Sequence, residues 1–160
     1  MDPAHTTIPG PTSADPNVDR ITVAKELAEV LGAYRTAFEE GNMVLACAHF
    51  SDPAVIITPE RVTLFDRNKF HQSMFGLMDL YRKAGVAFLR VTDVAMVPGG
   101  QALPGMHAVW QVAAADGTVL ANFPTTYYFR KEGLRWRIAT AITSERSDWL
   151  RQLLIEADNG

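Results

Sequence analysis

The chain has 160 residues, of which 48% are hydrophobic and 21% charged, with a formal net charge of -3 at pH 7. That is one domain's worth of core, which excludes a disordered or fibrous body, and the basic residues form no run, which excludes a nucleic-acid or acidic-membrane surface. A single cysteine, Cys47, excludes an intramolecular disulfide, and no apolar stretch reaches the roughly 20 residues that a membrane span requires.

The segment from Met1 to about residue 20 is rich in Pro, Thr, Ser, Asp and Gly without apolar period, which predicts a disordered arm. It also lacks the basic start and apolar run of a secretory signal, so the expected location is cytoplasmic. From Ile21, the residues Leu27, Leu31, Tyr34 and Phe38 recur at helical spacing and predict a long amphipathic helix ending at Gly41. Asn42 is the expected N-cap of a short second helix running to Phe50, followed by a turn at Ser51-Asp52-Pro53. Ala54 to Thr58 and Val62 to Phe65 read as a small hairpin. Asp66 then caps a third helix with Phe70, Met74, Leu77, Met78 and Tyr81 on its apolar face and Gly85 just after its end.

The remainder alternates extended runs with turn signals. Strands are predicted over 86–97, 106–115, 119–130 and 134–143, giving a four-stranded antiparallel meander. The Asp116-Gly117 pair predicts a type I′ turn, and Pro124 predicts a bulge or a sheet edge. Trp149, Leu150, Leu153 and Leu154 suggest a terminal helix within 147–160. Helices covering one face of a strongly twisted sheet give an α+β fold: a cone-shaped α+β barrel, three N-terminal helices packed on a strongly curved antiparallel sheet, over residues 21–146.

Three stretches carry a resemblance: Tyr34 to Asn42, Phe50 to Pro59, and the hairpin Tyr128 to Ile138 with its Trp136 after the turn. In order and spacing the chain resembles the nuclear transport factor 2-like superfamily, which includes ketosteroid isomerase, the SnoaL-type polyketide cyclases and scytalone dehydratase. The resemblance implies a cone with a pocket, and commonly a homodimer paired sheet to sheet. Trp136, Ile138 and Ile142 are expected on one face of the last strand, with Arg137 and Thr143 on the other.

The resemblance to ketosteroid isomerase implies an oxyanion-holding tyrosine at Tyr34, seven residues before Gly41. The carboxylate base of that enzyme corresponds to Thr58, which cannot remove a carbon-bound proton, and its second oxyanion donor falls at or near Tyr127, or at Thr126 if the hairpin shifts register. A lyase or isomerase, dehydratase-like or polyketide cyclase-like, would instead combine Tyr34 with His107 or His71 as acid and base. Asp93 is the one acid that strand alternation could turn inward.

The candidate catalytic residues are therefore Tyr34, His107 and His71, and the candidate ligand-binding residues are Tyr34, Thr58, Met74, Trp110, Asn122 and Tyr127. Residue by residue, a bland reading competes. Tyr34 on an apolar stripe is also a packed ring, His107 shares the less apolar face of its strand, and Cys47 reads as a buried structural thiol. The four histidines show no metal-ligand spacing and no phosphate-binding loop is present, so no cofactor and no metal is expected. The expected partner is a small apolar or aromatic molecule in a largely apolar pocket, with no nucleic acid and no membrane; a dimerisation module without ligand is the alternative.

Overall fold

A computed structural model describes residues 16–100 and 102–143 together with positions 149 and 152. The apolar recurrence of the first helical segment becomes the buried stripe Leu27, Leu31, Tyr34 and Phe38 of α1 (Pro16–Glu39). The described helix extends N-terminal of the expected Ile21, to Pro16. The rest of the expected arm lies outside the described residues. In α2 (Met43–Ala48) the Asn42 side chain caps the first turn by accepting from the Leu45 amide at 3.1 Å.

The expected turn at Ser51-Asp52-Pro53 is absorbed into β1 (Phe50–Ile57), which pairs antiparallel with β2 (Val62–Phe65). Asp66 caps α3 (Arg67–Lys83) by accepting from the Lys69 amide at 2.8 Å, and Phe70, Met74 and Tyr81 form its buried face. Then follow β3 (Phe88–Met96), β4 (Gly105–Ala113), β5 (Val119–Glu132) and β6 (Arg135–Thr143).

The six strands make one open sheet in the order β2-β1-β6-β5-β4-β3, curved over the three helices. The expected meander is present, but the hairpin joins it by parallel pairing of β1 with β6, so the sheet is mixed rather than antiparallel throughout. Without that pairing the backbone groups along one side of both strands would lack partners. Parallel neighbours need a long crossover, and here the whole chain between β1 and β6 supplies it.

Three further expectations change for local reasons. The hairpin at Asp116-Gly117 is a longer turn closed by the Gly117 amide on the Ala114 carbonyl, 2.9 Å, in which Gly117 has φ +88 and Asp116 does not have positive φ. Only one left-handed residue is then required, unlike a type I′ turn, which needs two. Pro124 marks neither a bulge nor an edge: it pairs in register with Val109 inside the sheet. The Phe129 amide donates to Pro104, so by alternation the even-numbered residues of β5 direct their amides toward β6. Since β6 ends at Thr143 opposite Thr125, the amide that proline lacks would have pointed past the end of that strand.

The register of β5 with β6 shifts so that Tyr128 faces Thr140 and Phe129 faces Ile138, leaving Ala139 as the extra residue. A one-residue slip reverses the faces. Ile138 is therefore buried inside the cone while Ile142 lies on the outer face at 38% exposure, so the expected common face of Trp136, Ile138 and Ile142 does not form. A second bulge, between Thr92 and Ala95, holds Asp93 at φ 51 and turns it to solvent, removing the one candidate sheet acid.

The core lies between the inner sheet face and the helices, with Leu27, Leu31, Met43, Met106, Phe129 and Ile138 its largest fully buried members. Trp149, in the expected terminal helix, packs on Tyr81 and Phe123 with ring centroids 6.2 and 5.3 Å away; the remaining positions of that segment, apart from 152, lie outside the described residues. Cys47 is fully buried on α2, where burial pushes its thiol up to about 11 against the opposing effect of Arg67, so it is packing and not a nucleophile. Among the described residues no helix is long and apolar enough to cross a membrane.

Candidate functional site

Strand alternation delivers one set of side chains to the inside of the curve. On β6 and β5 this set includes Ala141, Thr143, Thr125 and Tyr127; on β1 and β2 it includes Ile56, Thr63 and Phe65, and Thr58 and Arg61 continue it into the turn between them. The third helix adds Phe70, Ser73, Met74 and Leu77, whose spacing of three and four places them on one face. Tyr34 from α1 and Phe50 complete the lining. The result is a cavity of about 390 Å³, within the lower range of small-molecule sites.

Its deep end is aromatic. The Tyr34 ring stands edge-on to Phe50 at 5.3 Å and to Trp110 at 5.9 Å, and Phe70 packs on Phe50 at 4.6 Å and Phe65 at 5.6 Å. Beyond Tyr34, Thr125 and Tyr127 lies a small extension of about 20 Å³, which Trp110 and Phe123 help to line. There the Trp110 indole Nε1 donates to the Tyr127 hydroxyl at 2.6 Å, a buried bond that fixes both rings.

The opposite end is polar. Thr125 is paired with Thr143, and the parallel register that aligns Ile57 with Ile142 brings Thr58 next to Thr143. Thr58 in turn donates its amide to the Arg61 carbonyl at 3.0 Å. Three threonines and an arginine thus form a row, from β5 and β6 to the ends of the turn that joins β1 to β2. The expected largely apolar pocket is corrected by this arrangement: four threonines, one serine, two tyrosines and one arginine line it alongside the apolar groups.

Four expected site residues, Tyr34, Thr58, Met74 and Tyr127, do line the cavity, and Trp110 lines its extension. The other three are elsewhere. His107 projects from the outer face of β4, where its Nδ1 lies 3.1 Å from the Thr126 hydroxyl. Asn122 is exposed on the outer face of β5 and accepts from the Gln111 side chain at 3.3 Å. His71 is one position round the helix from Phe70 and falls off the lining face. The sheet itself separates Tyr34 from His107, so the acid–base pair expected for a lyase or isomerase is not assembled.

Among the described lining residues there is no carboxylate, imidazole or thiol, and among the described residues no group of three His, Cys, Asp or Glu could hold a metal ion. Arg61, Thr63, Phe65, Ser73, Thr125 and Thr143 were not anticipated. Their signal was available in part: counting by twos from Tyr127 reaches Thr125, and counting by twos from Phe65 reaches Thr63 and Arg61.

Two other hollows, of about 410 and 400 Å³, flank α1. They share Glu26, Lys131 and Trp136, which are already engaged with one another: the Trp136 Nε1 donates to Glu26 at 2.7 Å, and the Lys131 ammonium lies 5.4 Å from the Trp136 ring centroid. The cone cavity is therefore the better candidate site.

Known proteins give the same picture of the fold. An NTF2-like protein from Novosphingobium aromaticivorans with a cystatin-like fold superposes with a TM-score of 0.66 at 14% identity, covering 91% of this chain and 99% of that one. A protein from Catenulispora acidiphila, solved in complex with S-DNPA, gives 0.65 at 16% identity over 82% of this chain and 98% of that one. A ketosteroid isomerase-like protein from Erwinia carotovora atroseptica gives 0.58 at 18% identity over 76% of this chain and 94% of that one. No curated protein matches by sequence. Residues 25–146, well over half of the sequence, match the family model described as NTF2-like protein (DUF6841). The chain belongs to this NTF2-like family.

Proposed function

We propose that this protein is a binding domain that takes a small molecule with an aromatic or compact apolar body into the cone cavity. The observation that carries the reading is the cavity itself: about 390 Å³, with Tyr34, Phe50, Phe65, Phe70, Met74 and Leu77 around its aromatic end. Such walls favour flat or branched apolar bodies, because ring faces and edges pack on them at little entropic cost. The described lining residues hold no carboxylate or imidazole, which favours binding over proton transfer as the purpose of the site. The S-DNPA complex of the structurally similar Catenulispora acidiphila protein supports a ligand-holding use of this architecture.

Calorimetric titration of the full chain with 2-naphthamide, a neutral two-ring probe, tests the reading. Saturable binding is expected, and Met74→Trp, which fills the cavity from the α3 side, should weaken it at least tenfold while circular dichroism confirms the fold. Absence of binding by the parent protein, both of this probe and of its carboxylate analogue 2-naphthoate, or binding indifferent to Met74→Trp, removes the reading.

A further inference from the structure

The row Thr125, Thr143, Thr58 and Arg61 differs from the rest of the lining in two independent ways. First, Arg61 is the only charged side chain among the described residues that line the cavity. Its backbone is fixed by Thr58, whose amide and hydroxyl both donate to the Arg61 carbonyl, at 3.0 and 3.4 Å. Its side chain is exposed, so an anion meeting it at the rim does not require burial of an isolated charge. Second, the Thr143 hydroxyl is buried, with the residue only 6% exposed, and has no hydrogen-bond partner among the described residues. A buried hydroxyl without a partner costs stability, and native structures leave few of them. It belongs to a residue that lines the cavity between Thr125 and Thr58, so a turn of the Thr143 side chain would bring it to a ligand there.

The guanidinium asks for an anion and the hydroxyl for a hydrogen-bond partner, and an anionic acceptor would supply both. A carboxylate answers them together, with one oxygen accepting from a threonine hydroxyl and the charge facing the guanidinium. A phosphate dianion fits less well, because among the described lining residues a single arginine carries positive charge. We infer that the cavity selects a monocarboxylate: a small carboxylic acid, ionised at neutral pH, whose head lies along the threonine row toward Arg61 and whose aromatic or branched body lies among Tyr34, Phe50, Phe70 and Met74. This rests on the proposed binding function and adds the head group that the site reads.

The test uses the full chain and two probes of one shape, 2-naphthoate and 2-naphthamide, titrated at pH 7 and low salt into the parent protein and into Arg61→Gln, Thr143→Val and Met74→Trp. The parent should bind the acid at least tenfold tighter than the amide. Arg61→Gln should bring the two probes within about threefold of each other, chiefly by weakening the acid. Thr143→Val should weaken the acid by about tenfold, yet raise the unfolding temperature of the ligand-free protein, since it removes a buried hydroxyl that had no partner. Equal binding of the two probes by the parent, or an acid preference that survives Arg61→Gln, overturns the head-group inference and leaves the binding function standing. Binding of neither probe, or binding unaffected by Met74→Trp, overturns both.

Discussion

The two faces of the curved sheet are built from the same strands and do different work. Along β4, Met106, Ala108, Trp110 and Val112 face the helices and are buried, while His107, Val109 and Gln111 between them face outward and are half-buried. The residue types most readily credited with chemistry, a histidine and an asparagine, lie on the outer face, where each is tied to a cross-strand neighbour. The inner face carries hydroxyls, rings and one arginine. Residue type alone therefore does not say which candidates share the cavity, and the side of the sheet does.

Stability should separate the faces most sharply. Phe129→Ala, at a fully buried inner position, should cost about 3–5 kcal/mol in urea unfolding, whereas Val109→Ala on the outer face should cost about 1 kcal/mol or less. Similar losses at the two sites would mean that the outer face is covered in solution.

A smaller effect should come from His49, which sits on neither face but at the junction of α2 and β1. Burial, then the nearby Arg137 and Arg135, hold its imidazole below its ordinary value of 6.5. The folded protein thus resists a proton that the unfolded chain accepts. Stability is fully present above about pH 6.5 and declines as the pH falls from there toward the lowered folded value. Urea midpoints at pH 8, 6 and 5 should decrease in that order, and His49→Gln should flatten the decrease; an unchanged slope would place the response elsewhere.

The smallest effect is expected of His107→Ala and Asn122→Ala. Each should leave the affinity for 2-naphthamide within about twofold of the parent and stability within about 0.5 kcal/mol. A loss of binding in either would break the division between the faces.

What could be read in the sequence was local. The helices announced themselves through the spacing of Leu27 to Phe38 and Phe70 to Tyr81, and their starts through Asn42 and Asp66, because a cap and an apolar stripe are decided within a few residues. The antiparallel strands were legible from alternation and from glycines at the turns. The parallel pairing of β1 with β6 was not, since nothing in either strand specifies a partner so distant in the chain. Nor were the extra residues at Asp93 and Ala139, each of which reverses a face without altering composition. The site was half legible for the same reason: Tyr34, Thr58, Met74 and Tyr127 followed from the resemblance and from stripe positions, while Arg61 and Thr143 meet only through the β1–β6 register.

That register also sets when a site can exist at all. During synthesis the helices and the hairpin bearing Thr58 and Arg61 emerge first, whereas Thr143, at the end of the last strand, emerges after all of them. Closing so long a loop defers its entropic cost to the end of folding. Any intermediate lacking β6 would present the hairpin with an unpaired edge and the cavity with a missing wall. Ligand affinity should therefore report completion of the fold, and a fragment ending before β6 would be expected to seek another strand for that edge.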